Sequence, residues 1–210
     1  MDAIDANGWV TEMNSTPLSS TRQAGFTMIE VLVSLLIIVL GLLGLAGLQA
    51  RMQQAEFESY QRTQALVLLY DMVDRIYMNR VAASCFRFTD AGSGAPFIGS
   101  TGASVPSSCG ATGAALALAA LQDLHLQLQG EGEKKGGAQV GALVGARGCV
   151  SYDAGSALPG IPDTGIYTVT IAWQGTVDTV APAVACGNDQ YGAETRRRVV
   201  STTFRLARLN

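Results

Sequence analysis

The sequence is poor in charge, in histidine and in the residue spacings that metal and redox centres need. Charged residues make up 15% of the 210, and His125 is the single histidine. A nucleophile, a base and an orienting group are hard to assemble around one imidazole. No catalytic residues, metal or cofactor are therefore expected, and the chain reads as a non-enzyme. Four cysteines occur, none in a CxxC pair, which argues against a zinc or thiol-redox centre. Lysine and arginine number 14 against 17 acids, a formal net charge of -3, so nucleic acid is not expected as a partner. The low hydrophobicity that marks intrinsic disorder is also missing, since apolar residues reach 48%. Proline is absent between Pro17 and Pro96, and neither glycine nor proline occurs between positions 48 and 91.

The apolar residues are unevenly spread. Between positions 26 and 48 the only ionisable side chain is Glu30, and 31–48 (VLVSLLIIVLGLLGLAGL) holds eighteen residues without a charge. With 26–29 the run can span a bilayer. A secretory signal peptide would have an apolar core of about 7 to 15 residues, preceded by a basic residue rather than containing a carboxylate. A plain membrane anchor leaves Glu30 unexplained. A carboxylate near the centre of a transmembrane helix costs roughly 2.5 to 3.5 kcal/mol, less near its end, and normally marks a function. Glu30 follows Phe26 by four residues, one helical turn. A new chain terminus at Phe26 would set a positively charged amine within a turn of this carboxylate, or near that of a neighbouring subunit. The blander reading is a carboxylate at a helix N-terminus, where the macrodipole favours it.

Residues 1–25 are polar and irregular, with Asp2, Asp5 and Glu12 against a single Arg22. That balance is odd for a segment held in the cytoplasm, where basic residues are favoured. A start at Met13 keeps Arg22 and drops all three acids.

Gly25-Phe26-Thr27-Met28-Ile29-Glu30, followed at once by a long apolar helix, resembles the processing site of type IV prepilins. The resemblance implies that a prepilin peptidase/methyltransferase cuts between Gly25 and Phe26 and N-methylates Phe26. It makes Glu30 the assembly glutamate at the fifth mature position. Within that family the run from Gly41 to Gln49, GLLGLAGLQ, is similar to PilV-type minor pilins. Such proteins act with other minor pilins to initiate pilus assembly at or near the tip. The implied partners are those minor pilins, the major pilin, the inner membrane and the pilus assembly platform. The implied location is the inner membrane with a periplasmic C-terminal domain, then the pilus at the cell surface. Type II secretion minor pseudopilins share the same N-terminal logic. A plain membrane-anchored periplasmic domain is the reading without processing. Two features depart from the family pattern: the leader is long and acidic, and the helix lacks the mid-helix proline of many major pilins.

The helix is expected to run on from Phe26 to about Asn79, about 80 Å at 1.5 Å per residue. Its second half is rich in good helix formers. Leu66, Leu69, Val73, Ile76 and Tyr77 recur at three- and four-residue spacing and predict one buried face. Glu58 and Arg62, and Asp71 and Arg75, are i,i+4 pairs in the better orientation. Gly41, Gly44 and Gly47 permit close helix contact in lipid, yet each also weakens the helix by about 1 kcal/mol relative to alanine. Flexibility is the favoured reading of the three. Beyond this helix, 84–113 reads as an irregular connection and 114–129 as a second helix, although its tail alternates like a strand. GEGEKKGG (130–137) reads as a solvated turn. Strands are predicted over 142–152, 166–174 and 196–207. The fold class is thus α+β, type IV pilin-like, with a long N-terminal helix packed on a small antiparallel sheet. The divisions are a leader (1–25), a transmembrane or filament-core helix (26–48) and its amphipathic continuation (49–80). A connecting region with a short helix (81–141) and an antiparallel sheet region (142–210) follow.

All four cysteines, Cys85, Cys109, Cys149 and Cys186, follow the apolar helix, and an exported domain would use them in two disulfides. Three connectivities are open. Loop length favours Cys85–Cys109 with Cys149–Cys186, because shorter loops cost least to close. His125, among leucines, reads as a surface or partly buried helix residue rather than a base. Arg196, Arg197 and Arg198 read as a solvated strand end, with a partner contact as the sharper alternative.

Overall fold

The computed structural model describes residues 25–100, 105–130, 134–136, 138–139, 141 and 143–207. Of the expected leader (1–25), residues 1–24 lie outside them. The chain divides into two units, 1–47 and 48–210.

Helix α1 runs Met28–Met78. Its length follows from a stretch with no proline and, after Gly47, no glycine. Within the first unit its residues are exposed on every side. An 18-residue window with mean hydropathy 2.9 makes it long and apolar enough to cross a membrane. In the second unit the helix is one-sided, burying Gln61, Ala65, Leu69, Met72, Val73 and Ile76. It stops where the Asn79 carboxamide donates to the Arg75 carbonyl at 2.9 Å. A 3-10 segment, Arg80–Cys85, then turns the chain.

Two of the residues assigned to the buried face lie elsewhere. Leu66 and Tyr77 are exposed, because the core meets the helix along 61, 65, 69, 72 and 76, and both sit at the margin of that stripe. The Asp71–Arg75 pair forms at 2.9 Å. Glu58 turns instead to Arg198, at 3.3 Å, rather than to Arg62.

Helix α2, Ala114–Leu128, is helical through the segment that alternates in sequence. Its buried residues, Ala117, Leu121, Leu124, His125 and Leu128, follow helical spacing. The predicted turn at 130–137 instead contains a strand: β1 (Lys134–Lys135) pairs with β2 (Ala138–Gln139) in a two-residue antiparallel ladder. The pattern is legible only as a turn because so short a ladder has no room for alternation.

The main sheet has three antiparallel strands in the order β3 (Arg147–Asp153), β4 (Ile166–Gln174), β5 (Arg197–Arg205). In its register Val150 faces Val169, and Val169 faces Thr202. β4 and β5 match expectation closely. β3 begins at Arg147, five residues later than predicted. Central β4 is covered on both faces. Tyr167, Val169, Ile171 and Trp173 enter the main core with α1 and α2. Ala172 lies on the other side, in a smaller cluster with Cys149, Cys186 and Tyr191. The outer edge of β3 is bridged by Ile98, which exchanges backbone hydrogen bonds with Gly148 at 2.9 and 2.8 Å. A Cβ at Gly148 would lie 2.9 Å from the Leu128 Cδ1 and Met72 Cε methyls, so those side-chain ends would have to shift to admit it.

The disulfides join Cys85 to Cys109 and Cys149 to Cys186, with Cα atoms 5.4 and 5.9 Å apart. This is the pairing that loop length favours. The first bridge ties the segment after α1 to the approach to α2. The second pins the 175–196 loop against β3. In the chain-entropy account, loops of these sizes each stabilise by roughly 3 to 4 kcal/mol.

Candidate processing and assembly site

Gly25, Phe26 and Thr27 precede the first helical residue and are exposed. Thr27 is the helix cap. Its Oγ1 accepts the Glu30 N–H at 3.3 Å, and its carbonyl accepts the N–H groups of Glu30 and Val31 at 3.1 and 3.3 Å. Thr27-Met28-Ile29-Glu30 therefore has the T-x-x-E spacing of a capping box. The pattern was available in the sequence, and composition-led reading passed over it. Glu30 falls in the first turn of α1, where the positive end of the macrodipole favours a carboxylate. Its side chain is exposed, and among the described residues no cation or donor bonds it. Gly41, Gly44 and Gly47 likewise meet nothing of their own chain, since an added Cβ has no neighbour within 4 Å. Among its described residues the first unit thus presents a capped helix, a preceding non-helical segment and one unpartnered carboxylate.

Residues 20–46 match the family described as the prokaryotic N-terminal methylation motif. The chain carries a prepilin-type methylation motif. That match supports a type IV pilin or pseudopilin, and the long helix on a three-stranded sheet is consistent with a type IV pilin-like fold. The motif implies processing by a prepilin peptidase and the membrane pilus machinery, and a structural protein rather than an enzyme. With the apolar helix it supports membrane anchoring with pilus incorporation. No curated protein and no solved structure matches the chain.

The remaining candidate residues serve the architecture of the fold. All four cysteines are in disulfides. His125 is buried, and its Nδ1 accepts the Gly99 N–H at 3.0 Å. Its Nε2 lies 3.0 Å from the Gln129 amide nitrogen. Burial lowers the His125 pKa below its ordinary 6.5. The unfolded ring therefore takes up a proton first as the pH falls. The chain is expected to lose stability as pH drops below about 6.5, and His125→Asn, which keeps an acceptor but does not titrate, should remove that slope. Thermal unfolding at pH 7.5 and 5.5 measures it. Equal slopes in the two proteins would remove His125 as the cause.

The arginine run is corrected by the structure, because only Arg196 is solvated as expected. Arg197 is 2% exposed and fills the space under the 175–196 loop. Its guanidinium donates to Glu194 at 2.6 Å, to the carbonyls of Pro182, Val184 and Cys186, and to Asn188. Arg198 donates to the Val177 carbonyl and to Glu58. Burial opposes ionisation of Glu58, but donors from Thr176 and Val177 and the charge of Arg198 outweigh it, so its pKa lies below the usual value. These two arginines hold the C-terminal loop to the sheet and to α1. Sequence reasoning missed them because their acceptors are mostly backbone carbonyls of an irregular loop, which carry no residue signature.

Proposed function

We propose that this chain is a PilV-type minor pilin. Its leader is removed after Gly25, Phe26 becomes the N-methylated terminus, and the chain stays in the inner membrane with its globular part in the periplasm. It is then drawn into a type IV pilus by the assembly platform, where it acts with other minor pilins to initiate assembly at or near the tip and contacts the major pilin. The observation that carries this reading is the unpartnered Glu30 in the first turn of an apolar helix, inside the stretch that matches the methylation motif. Within one chain the helix dipole favours this carboxylate, but among the described residues no side chain pairs with it to offset its cost in lipid. The methylated amine of a neighbouring subunit supplies an opposite charge, and packing of apolar helices supplies the driving force. The GLLGLAGLQ run at 41–49 favours the PilV type over a type II secretion pseudopilin.

Glu30→Ala tests the charge pairing. Membrane insertion should be normal, because the change removes a charge from an apolar run. The amount recovered in sheared filaments should fall to a small fraction of wild type. Unchanged incorporation would sink the pairing between Glu30 and a neighbour's amine.

A further inference from the structure

We propose that the cavity between the second half of α1 and strands β4 and β5 binds an anionic phosphodiester with a hydroxyl beside it, the chemistry of a glycerol phosphate. The cavity lies wholly within the second unit, so the proposal does not depend on the filament reading.

The cavity has a volume of about 360 Å³, within the range of roughly 300 to 1,000 Å³ that small-molecule sites occupy. Glu58, Ser59 and Arg62 line it from α1, Trp173 from β4 and Arg198 from β5. The i,i+4 spacing of Glu58 and Arg62 predicts a salt bridge, yet these two charges do not pair. Glu58 Oε1 instead accepts from the Thr176 hydroxyl at 3.0 Å and from the Thr176 and Val177 N–H groups at 3.3 Å each. Arg198 donates to the same oxygen at 3.3 Å, and its other bonds go to the Thr195 and Val177 carbonyls. These donors and the Arg198 charge keep the Glu58 carboxyl ionised. Among the described residues, the Arg62 guanidinium, the Ser59 hydroxyl, the Trp173 indole N–H and Glu58 Oε2 are left without a partner at the cavity. Trp173 is 3% exposed, and a buried indole normally finds an acceptor.

Those groups select the ligand. Glu58 is neutralised by Arg198, so among the described residues lining the cavity Arg62 carries the one unbalanced charge. Its complement is a single negative charge. A phosphate can accept from a guanidinium, a hydroxyl and an indole N–H at once, and arginine is the side chain best shaped to bind it. Glu58 Oε2 repels a bare anion but accepts from a hydroxyl, which adds a donor beside the phosphate. An aromatic ligand is disfavoured, because so buried a Trp173 offers no open ring face for stacking.

The test is NMR of the Trp173 indole N–H in the full-length chain in maltoside micelles, with Trp9→Phe leaving a single indole. The probe is glycerophosphoglycerol, a phosphodiester monoanion with free hydroxyls. Dimethyl phosphate supplies the anion without a hydroxyl, and glycerol the hydroxyls without an anion. The probe should shift the indole signal saturably, dimethyl phosphate should bind at least about tenfold more weakly, and glycerol should not saturate. Arg62→Met should weaken the probe at least about tenfold and leave the fold intact, because Arg62 bonds no other described residue. Glu58→Gln should erase the preference over dimethyl phosphate. Its amide oxygen keeps the Thr176 and Val177 donors, which turns an NH₂ group to the cavity in place of an acceptor. Phosphatidylglycerol added to the micelles distinguishes the sources. The same shift from the lipid assigns a membrane headgroup, and a shift from the soluble probe alone assigns a free polyol phosphate. No saturable shift from probe or lipid, equal binding of dimethyl phosphate, or an Arg62→Met affinity equal to the parent would overturn the proposal.

Discussion

Gly25→Arg is expected to take leader removal from complete to undetectable while leaving the folded part of the chain unchanged. The two effects separate because of where Gly25 sits. It lies outside α1, it is exposed, and a Cβ there would meet nothing within 4 Å. No folded contact depends on its being glycine. A protease that grips an extended segment closely does depend on it, because the missing Cβ lets enzyme backbone and scissile bond approach. Retention of the leader has a second consequence. Phe26 would keep an amide nitrogen instead of a charged amine, so Glu30 of a neighbour would lose its counter-charge. The variant should insert in the membrane at full length and be missing from sheared filaments. Immunoblotting of membrane and filament fractions checks both. A chain cut normally despite the arginine would show that the enzyme reads other positions and would weaken the whole N-terminal account.

The second large effect is expected at Arg197. Truncating a buried charge that satisfies several acceptors leaves those acceptors desolvated and unpaired, at about 3 kcal/mol or more. For Arg197→Met the exposed acceptors would be Glu194, Asn188 and the carbonyls at 182, 184 and 186. For a chain of this size 3 kcal/mol lowers the melting temperature by roughly 6 to 12 °C. Arg197→Lys should recover little of it, because one ammonium does not reproduce a planar fork that donates to five groups. The adjacent Arg196 provides the contrast. Its side chain is 52% exposed and pairs only with a solvated Asp178, so Arg196→Met should cost under about 0.5 kcal/mol. Thermal unfolding of the three variants with disulfides intact distinguishes them. Equal losses at 196 and 197 would contradict the assignment of Arg197 as the loop's anchor.

These two residues also mark what the sequence can and cannot disclose. α1 was legible because a long run of helix formers without proline has few alternatives. β4 was legible because Tyr-Thr-Val-Thr-Ile-Ala-Trp alternates. Loop length favoured the cysteine pairing that forms, while three connectivities stayed open in the sequence. The N-terminal site was legible as a motif, and its Thr27 cap was readable from T-x-x-E. Arg197 was not legible, because three consecutive arginines look alike until a loop folds over one of them. The two-residue ladder at 134–139 was too short to carry a pattern.

The central claim is that the chain is cut after Gly25, methylated at Phe26 and built into a filament. It is tested most directly by mass spectrometry of the N-terminal peptide from a sheared surface-pilus fraction. The account predicts a peptide that begins with N-methylated Phe26. A chain that still carries Gly25, or a processed terminus confined to membranes and missing from filaments, would contradict it.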